Sequence, residues 1–311
     1  MSAAADQQTA AEEIKHQVRR FWDEHPCGAQ FSTAPPGSRA FFDEIATYRY
    51  RTEPHLQQVT HFAEYAQKTV LEIGCGLGLD LAQYARHGAR VVGLELSEAS
   101  VQLARQCFAA YALPGVFVVA DAENLPFAAG AFDLVYAHGV LHHTPNTEKA
   151  IAEIYRLLRP GGHTLVMLYH KHSLNYYWSI MFLRRLGRWL LRFKQAPAWI
   201  HRLTGLDQEK LREHQRRVRQ HVSAQQWLSM NTDGPGNPLA KVYTRREVRR
   251  LFRQFRQLEL SVFYLKKETC FPGLARFLPQ TLEQVLGRWL GWHLFIWAEK
   301  LPARATSWQS G

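Results

Sequence analysis

The hydrophobic pattern changes period near the start of the most regular part of the chain. Residues 68–73 have the apolar composition of a buried strand, whereas apolar positions repeat at helical spacing over residues 78–87. Gly74, Gly76 and Gly78 lie where these two patterns meet. Glycine permits positive φ and close approach of a ligand, and the exposed N–H groups of such a turn favour an electron-rich ligand edge. The pattern therefore predicts a strand, a glycine-rich turn and a helix that bind a nucleotide-type cofactor.

Apolar runs with strand composition recur along the rest of the chain, at residues 90–96, 116–121, 132–137, 162–169, 258–264 and 291–300. Helical patterns separate most of them, and this alternation is typical of a parallel sheet covered by helices. The last run spans about ten residues, half of the roughly twenty that a membrane-spanning helix needs. We therefore predict a buried strand there.

Acidic residues stand at the ends of three predicted strands. A buried acid is costly unless it is paired, so Glu72 favours a cofactor with cationic groups. Glu95 ends the second strand, where an acid accepts hydrogen bonds from ribose hydroxyls, and Asp121 ends the third. The glycine spacing is G-x-G-x-G, with Leu79 where the dinucleotide fingerprint has its third glycine. This departure counts against NAD.

Five segments in this order resemble class I S-adenosylmethionine-dependent methyltransferases, of the small-molecule branch that includes ubiquinone-biosynthesis-like enzymes. They are LEIGCGLG, GLELS, ADAENLPFAAGAFDLVY, GVLHH and LRPGGHTLVM, all between residues 71 and 167. The resemblance implies a methyltransferase with an α/β fold and a Rossmann-like seven-stranded sheet whose last strand is antiparallel. It further implies an N-terminal helical cap and a helical insertion after the fifth strand.

The resemblance also assigns a cofactor, S-adenosyl-L-methionine, which leaves as S-adenosyl-L-homocysteine. The residues expected at its methionine and ribose part are Glu72, Gly74, Cys75, Gly76 and Gly78. Those expected at its ribose hydroxyls and adenine are Glu95, Leu96, Asp121, Ala122 and Glu123, and His138 would contact the methionyl part through its backbone. Arg51 is a candidate for the cofactor carboxylate, the alternative being a surface arginine.

Methyl transfer from a sulfonium needs a base only if the acceptor atom must lose a proton. His142 and His143 follow the fourth strand and are the candidates, with His143 favoured; either is alternatively a structural hydrogen-bond partner. Tyr169, His170 and His172 are weaker candidates. No carboxylate and histidine cluster has the spacing of metal ligands, so we expect no metal. The acceptor atom is not encoded in any motif.

The chain divides into five predicted segments. They are a helical cap at 1–60 with a frayed start up to Thr9, a cofactor-binding core at 61–170, a basic aromatic insertion at 171–240, a C-terminal part of the core at 241–301, and a tail at 302–311. In the cap, four aromatic residues either line the substrate pocket or belong to the core: Phe41, Phe42, Tyr48 and Tyr50. Thr244 and Glu247 form a capping-box pattern that predicts a helix start near Tyr243.

Basic residues are concentrated in one stretch. The chain of 311 residues has a net charge of +11, yet residues 171–256 contain 19 Lys plus Arg against 5 Asp plus Glu, an excess of +14. Aromatic residues, leucines and arginines interleave at helical spacing in its first part. Such a helix either lies on an anionic membrane surface or covers an amphipathic substrate, or it is a lid whose apolar face packs on the core and whose arginines are solvated.

Three function classes compete at this point. We expect a methyltransferase for a small-molecule acceptor, either a lipid-like amphipathic one at the membrane surface or a soluble aromatic one. A nucleic-acid methyltransferase is suggested by the charge, but AHGVLHH stands where base-amine methyltransferases carry Asn/Asp-Pro-Pro-aromatic. A non-catalytic cofactor-binding protein is the third class. Four scattered cysteines and no cleavable apolar leader indicate a reduced, cytoplasmic protein, with peripheral membrane contact as the alternative.

Overall fold

The computed structural model describes residues 2–204, 207–217, 222–234, 236–271 and 273–301. The predicted tail at 302–311 lies outside these residues. Within them, seven strands form one sheet in the order β3-β2-β1-β4-β5-β7-β6. The strands are β1 Thr69–Ile73, β2 Arg90–Glu95, β3 Val116–Val119, β4 Phe132–His138, β5 Leu158–Tyr169, β6 Arg256–Phe263 and β7 His293–Glu299. The predicted Rossmann-like sheet is confirmed.

The five strands β1 to β5 run parallel, whereas the last strand is antiparallel as predicted. Two backbone bonds at opposite ends of β5 show its direction: Gly161 N–H donates to Lys300 O over 3.0 Å, and His170 N–H donates to Trp292 O over 2.8 Å. The β1 sequence TVLEI is nearly continuous in apolar residues because helices cover both faces of a parallel sheet.

Thirteen α-helices surround or follow the strands in the described residues. They are α1 Ser2–Glu24, α2 Arg39–Thr52, α3 Leu56–Val59, α4 Leu79–Arg86, α5 Glu98–Ala110, α6 Thr147–Leu157, α7 Arg184–Leu190, α8 Ala196–Thr204, α9 Gln208–Arg217, α10 Ala224–Met230, α11 Arg245–Leu251, α12 Lys267–Cys270 and α13 Gln280–Leu290. Helix α1 begins at Ser2, so the expectation of a frayed start was wrong. Alanine, which is frequent there, has the highest helix propensity. Helix α11 begins directly after Thr244, close to the predicted start.

The chain forms two compact units. The first unit contains the described residues up to Leu168, Arg245–Leu260, and those from Phe295 onward. The second unit contains Tyr169–Thr244 and Ser261–Leu294. The predicted insertion at 171–240 falls within the second unit, together with a later segment that the sequence pattern did not associate with it.

The core of the first unit continues from the sheet into the N-terminal helices. Phe41, Phe42 and Ile45 of α2 are buried against Leu77, Leu79 and Cys107. Phe41 and Phe42 are thus core residues, the second of the two roles left open for them. Tyr48 stacks on Phe31 with ring centroids 3.8 Å apart. Tyr50 donates its hydroxyl to Asp80 over 2.9 Å.

The second unit is mainly helical. A π-helix, Asn175–Leu183, precedes α7, and the Trp227 indole of α10 donates to Ile180 O in that π-helix over 3.0 Å. Leu191 and Ala196 form a small buried cluster with Leu190, Ile200 and Leu211. Among the described residues of the whole chain, no helix combines the length and the hydropathy needed to cross a bilayer.

Candidate functional site

The glycine turn follows β1 directly and requires glycine at each of its three positions. Gly74, Gly76 and Gly78 have φ of +69°, +50° and +76°, a region that other residues adopt at a cost. A Cβ at Gly74 would collide with the Val140 side chain, whereas a Cβ at Gly76 would meet no heavy atom within 4 Å. Gly78 is the N-cap of α4. The turn therefore leaves open space at Gly76, as a ligand cradle must.

Glu95 is held at the end of β2 by three backbone donors. Its carboxylate accepts hydrogen bonds from the N–H groups of Gly76 (3.1 Å), Leu96 (2.7 Å) and Ser97 (3.2 Å). Burial raises the pKa of Glu95, although these three donors oppose that shift. The carboxylate is thus fixed beside the glycine turn, with its orientation set by main-chain groups that no side-chain rotation can move.

Asp121 and Glu123 share a lysine from the N-terminal helix. Lys15 Nζ of α1 lies 2.6 Å from Asp121 Oδ2 and 3.0 Å from Glu123 Oε2. Burial alone would lower the pKa of Lys15, but hydrogen bonds to Asp121 and other carboxylates raise it above its ordinary value. These ion pairs therefore hold helix α1 against the loop that follows β3. The sequence pattern did not reveal this contact.

One cavity in the first unit joins these elements. The residues that line it come from α1 and the segment after it, from the glycine turn, from the ends of β1, β2 and β4, from the start of α5, and from the loops after β2, β3 and β4. They are Lys15, Val18, Trp22, Cys27, Ile73, Gly74, Gly76, Leu94, Glu95, Leu96, Ser100, Ala120, Asp121, Ala122, His138, Gly139, Val140, His143, Thr144 and Pro145. Ligands in open parallel sheets bind outside the carboxyl ends of the strands, where this cavity lies.

Seven of the eleven predicted cofactor residues line this cavity: Gly74, Gly76, Glu95, Leu96, Asp121, Ala122 and His138. The structure does not bring Glu72, Cys75, Gly78 or Glu123 to its wall. Cys75 is buried, Gly78 caps α4, and Glu123 is buried against Lys15. Of the two candidate bases, His143 lines the cavity, whereas His142 is fully buried and does not.

Glu72 is buried at the end of β1. Its Oε2 has no hydrogen-bond partner among the residues that the structure describes, and only 4% of the residue is exposed. Burial, and then the negative charge of Asp80, raise the pKa of Glu72 well above its ordinary value. A cationic group bound nearby would stabilise the carboxylate instead. This orphaned acid therefore fits a positively charged ligand.

Arg49 is the charged residue that the sequence reasoning missed. Its guanidinium forms a bidentate pair with Asp80, with Nε 2.9 Å from Oδ1, and the Tyr136 hydroxyl donates to the same carboxylate over 2.9 Å. Burial alone would raise the pKa of Asp80, but the charge and hydrogen bonds of Arg49 hold it at about 2. Arg51, the residue proposed for the cofactor carboxylate, is exposed and lies over the Tyr48 ring.

His138 connects this buried cluster to the cavity. Arg49 Nη2 lies 3.3 Å from His138 Nδ1, and His138 Nε2 lies 3.5 Å from Glu53 Oε2. Burial, and then the charge of Arg49, lower the pKa of His138 well below its ordinary value. The ring is therefore neutral, and because Arg49 donates to Nδ1, its proton is on Nε2. The Arg49 cluster thus fixes the ring orientation of a cavity residue.

His55 makes the stability of the first unit sensitive to acid. Burial, and then the charge of Arg49, lower the pKa of His55 from 6.5 to about 4. The unfolded chain therefore binds the proton more readily. The contribution of His55 to the free energy of unfolding is complete above pH 6.5, falls by about 2 kcal/mol at pH 5, and levels off below pH 4.

The raised pKa of Glu72 makes stability change with pH in the opposite direction to His55. We therefore expect the effect of His55 to be visible in the difference in unfolding free energy between a His55 variant and the wild type. Urea unfolding from pH 7.5 to 4.5 should show that His55→Gln gains about 2 kcal/mol relative to the wild type as the pH falls to 5. His87→Gln, at an exposed ring, is the control. A difference between His55→Gln and wild type that stays constant with pH would contradict this assignment.

The chain was compared with known families once this geometry was established. Residues 71–166 match the family model described as a methyltransferase domain. This part of the chain therefore has the sequence pattern of a methyltransferase domain. The match begins just before the glycine turn and ends within β5, so the methyltransferase domain contains the predicted cofactor residues, while α1 lies outside the matched segment.

Curated relatives match over less than half of the chain. A phthiotriol/phenolphthiotriol dimycocerosates methyltransferase 1 from Mycobacterium ulcerans is 39% identical over 126 residues, which are 40% of this chain and 42% of that protein. Sterol 4-C-methyltransferase strm-1 from Caenorhabditis elegans is 34% identical over 98 residues, 31% of this chain and 29% of that protein. The alignments thus cover about two fifths or less of these relatives.

Solved structures resemble the chain over more of its length. A methyltransferase from Thermotoga maritima, described as S-adenosylmethionine-dependent, gives a TM-score of 0.50 at 17% identity and covers 92% of this chain and 99% of its own. The [4+2]-cyclase SpnF gives 0.51 at 15% identity and covers 93% and 96%. At this level of sequence identity the similarity shows the fold alone. Because a cyclase has the same fold, the fold does not determine the reaction, which must be inferred from the site.

Proposed function

We propose that the chain transfers a methyl group from S-adenosyl-L-methionine to a hydrophobic, lipid-like small molecule. One observation carries this proposal: within a methyltransferase domain, an open glycine turn, a backbone-fixed acid and a second acid line the same cavity. These groups suit a ligand that combines a ribose, an adenine and a cationic amino acid. Glu72, directly before that turn, is buried and does not reach the cavity wall, so its contact with the ligand stays a prediction.

Each residue at the cavity would have a defined task. Glu95, held by its three backbone donors, would accept hydrogen bonds from the ribose hydroxyls, and Leu96 would pack on the adenine. Asp121 would accept from the adenine amine, which requires Lys15 to share or release that carboxylate. Gly76 provides the open space for close approach of the ligand. When bound, the cofactor supplies a methyl group on a sulfonium, which is already an activated leaving group.

The remaining help comes from positioning and from a dry cavity. Val18 and Trp22 of α1 line the cavity and exclude water from one side. His143 is our candidate for removing a proton from the acceptor, because it lines the cavity, with its ring 5.6 Å from the Trp22 ring. His142, which is fully buried away from the cavity, is better suited to a structural role.

The acceptor class is supported by the relatives. Both are named for lipid acceptors, one for phthiotriol dimycocerosates and the other for sterols. In the described residues the cavity wall also offers apolar side chains at Val18, Trp22, Leu94 and Val140. The small-molecule class therefore has more support than the nucleic-acid class that the net charge suggested.

Calorimetric titration with S-adenosylmethionine and S-adenosylhomocysteine tests the cofactor. We expect micromolar binding that Glu95→Ala weakens by about 10- to 100-fold, since hydrogen bonds to a charged group contribute about 1.5–3 kcal/mol. Glu95→Gln keeps one acceptor oxygen and should retain part of the affinity. Glu98→Ala, three residues further on at an exposed site, is the matched control. Absence of binding, or equal losses in Glu95→Ala and Glu98→Ala, would contradict the site.

The acceptor is tested by following the methyl group. The full chain is incubated with S-adenosylmethionine labelled in its methyl group, together with a mixture of sterols, long-chain phenols and transfer RNA. We expect the label to enter the organic extract, and His143→Gln to lower its rate without weakening cofactor binding. Label that stays with the RNA would overturn the lipid-like acceptor while leaving the methyltransferase activity intact.

A further inference from the structure

We propose that the second unit carries a surface that docks on an anionic lipid bilayer. Its centre is an aromatic face on the π-helix, on α7 and on the turn after α7, defined by Trp178, Phe182, Leu186, Trp189 and Phe193. Each of these side chains is between 40% and 51% exposed. Folded monomers rarely leave a large contiguous apolar surface exposed unless that surface binds a partner.

The first four members of the aromatic face are spaced by three or four residues along the π-helix and α7, and Phe193 adjoins them in the turn that follows. The rings of Trp178 and Phe182 stack with centroids 5.1 Å apart, and those of Trp189 and Phe193 meet edge to face at 5.3 Å. The side chains therefore form one stripe rather than separate exposed residues.

The opposite side of the same helices is already packed within the second unit. Ser179 and Ile180 are fully buried, and Trp227 of α10 donates to Ile180 O. Arg184 donates to Asn231 O over 3.1 Å, which anchors the start of α7 to the end of α10. These contacts fix the rotation of the helices and keep the aromatic face turned outward from α10.

Neighbouring segments extend the apolar surface. In α8, Ala196 and Ile200 pack inward, while Trp199 and Leu203 are 56% and 84% exposed. On the other flank, the Trp178 indole donates to Cys270 O over 2.9 Å, which places the end of α12 beside the aromatic face. The exposed side chains of Leu274 and Phe277 follow that helix directly.

Positive charge accompanies the aromatic face, and the segment that carries this face contains no acid. Residues 171–206 contain seven Lys or Arg and no Asp or Glu. Four of the seven, Arg185, Arg192, Lys194 and Arg202, are exposed, and no ion pair is found for them in the part of the chain that the structure describes. Trp, Phe and Leu on one side with Lys and Arg beside them are the composition of a helix that lies in a membrane interface.

Charge and shape favour a bilayer over other occupants. A second copy of the chain, joined through the same face, would bring two acid-free cationic segments together, and the repulsion would weaken such a contact. Single-stranded nucleic acid needs open ring faces on which bases stack. Here Trp178 stacks on Phe182, so each ring has one face already covered, and the apolar side chain of Leu186 lies between the two ring pairs along the helix.

Vesicle co-sedimentation of the full chain tests the proposal. We expect binding to vesicles of 70% phosphatidylcholine and 30% phosphatidylglycerol at 0.1 M salt, and a strong loss at 1 M salt or on pure phosphatidylcholine. Trp189→Ser with Phe193→Ser should lower the partition coefficient at least about tenfold. Arg185→Gln with Arg192→Gln should lower it about 20- to 30-fold, since each cation near the surface contributes about 1 kcal/mol.

Two matched variants act as controls, Phe31→Ser for an exposed ring of the first unit and Arg246→Gln with Arg249→Gln for its charges. Unchanged sedimentation of the aromatic variant would overturn the proposal. So would binding of single-stranded RNA in place of vesicles, or a dimer in solution that the aromatic variant dissociates. The docking surface is a proposal separate from methyl transfer. The aromatic variant should bind S-adenosylmethionine with the affinity of the wild type. Failure of the docking proposal and failure of the proposed methyltransferase function therefore give different results.

Discussion

Replacing Arg49 with leucine is expected to lower the free energy of unfolding by about 3–5 kcal/mol, because breaking a buried ion pair leaves its partner charge uncompensated. Asp80, only 3% exposed, would keep the hydroxyl donors of Tyr50 and Tyr136 but lose its cation. Its pKa, now about 2, would rise, and the carboxyl would take up a proton on folding. Urea unfolding at pH 7 measures the loss.

Arg51→Leu is the matched control, since Arg51 lies two residues further along α2 and is exposed. Its effect should stay within about 0.5 kcal/mol. Arg49→Leu combined with Asp80→Asn removes both charges and should recover part of the stability, which shows coupling between the two residues. Equal losses for the two arginine variants, or no recovery in the double variant, would mean that the ion pair is not what Arg49 contributes.

Replacing Gly76 with valine is expected to weaken S-adenosylmethionine binding by at least about 100-fold. The residue lines the cavity, and an added Cβ meets no heavy atom within 4 Å, so a branched side chain extends into the space that the proposed ligand needs. The φ of +50° adds backbone strain of about 1–3 kcal/mol. Calorimetric titration of the folded variant separates lost affinity from lost stability.

Gly88→Val provides the control for that strain. Gly88 has a φ of +84°, is exposed after α4, and likewise offers no heavy atom within 4 Å of an added Cβ. The variant should be destabilised like Gly76→Val but should bind S-adenosylmethionine with wild-type affinity. If both variants lost binding to the same degree, the loss would come from instability, and the glycine turn would not be the ligand cradle.

The strands and the glycine turn were predictable because their signals are local. The apolar run of β1 and the glycines that follow it are adjacent in sequence, and the required positive φ follows from residue type. The acids Glu95 and Asp121 were found for the same reason, since each closes a strand run. Two of the three acids predicted from strand ends, Glu95 and Asp121, line the same cavity, whereas Glu72 does not.

Arg49 lies on the buried side of α2, although it is a charged residue. Phe41, Phe42 and Ile45 are buried, and Arg49 continues that stripe four residues after Ile45, whereas Arg51 lies on another side. The periodicity of the apolar residues thus contained the signal. A charged residue on a buried stripe should have been expected to meet an opposite charge in the core.

Lys15 and Asp80 could not have been paired with their partners from the sequence. Lys15 meets Asp121 across more than a hundred residues, and Asp80 of helix α4 accepts from a tyrosine of strand β4. Such contacts depend on the packing of whole elements. The exposure of Trp189 and its neighbours likewise could not be predicted from the sequence. Helical spacing shows that one face is apolar, but it does not show whether another element covers that face.

The boundary between the two compact units has a consequence for how such proteins diversify. Every residue that lines the described cavity belongs to the first unit, and the family match ends at residue 166, two residues before that unit gives way at Leu168. Mutations in the second unit can therefore accumulate without disturbing the glycine turn or its acids. Descendants of one ancestor could keep the residues of the described cavity while exchanging the unit that carries the aromatic face.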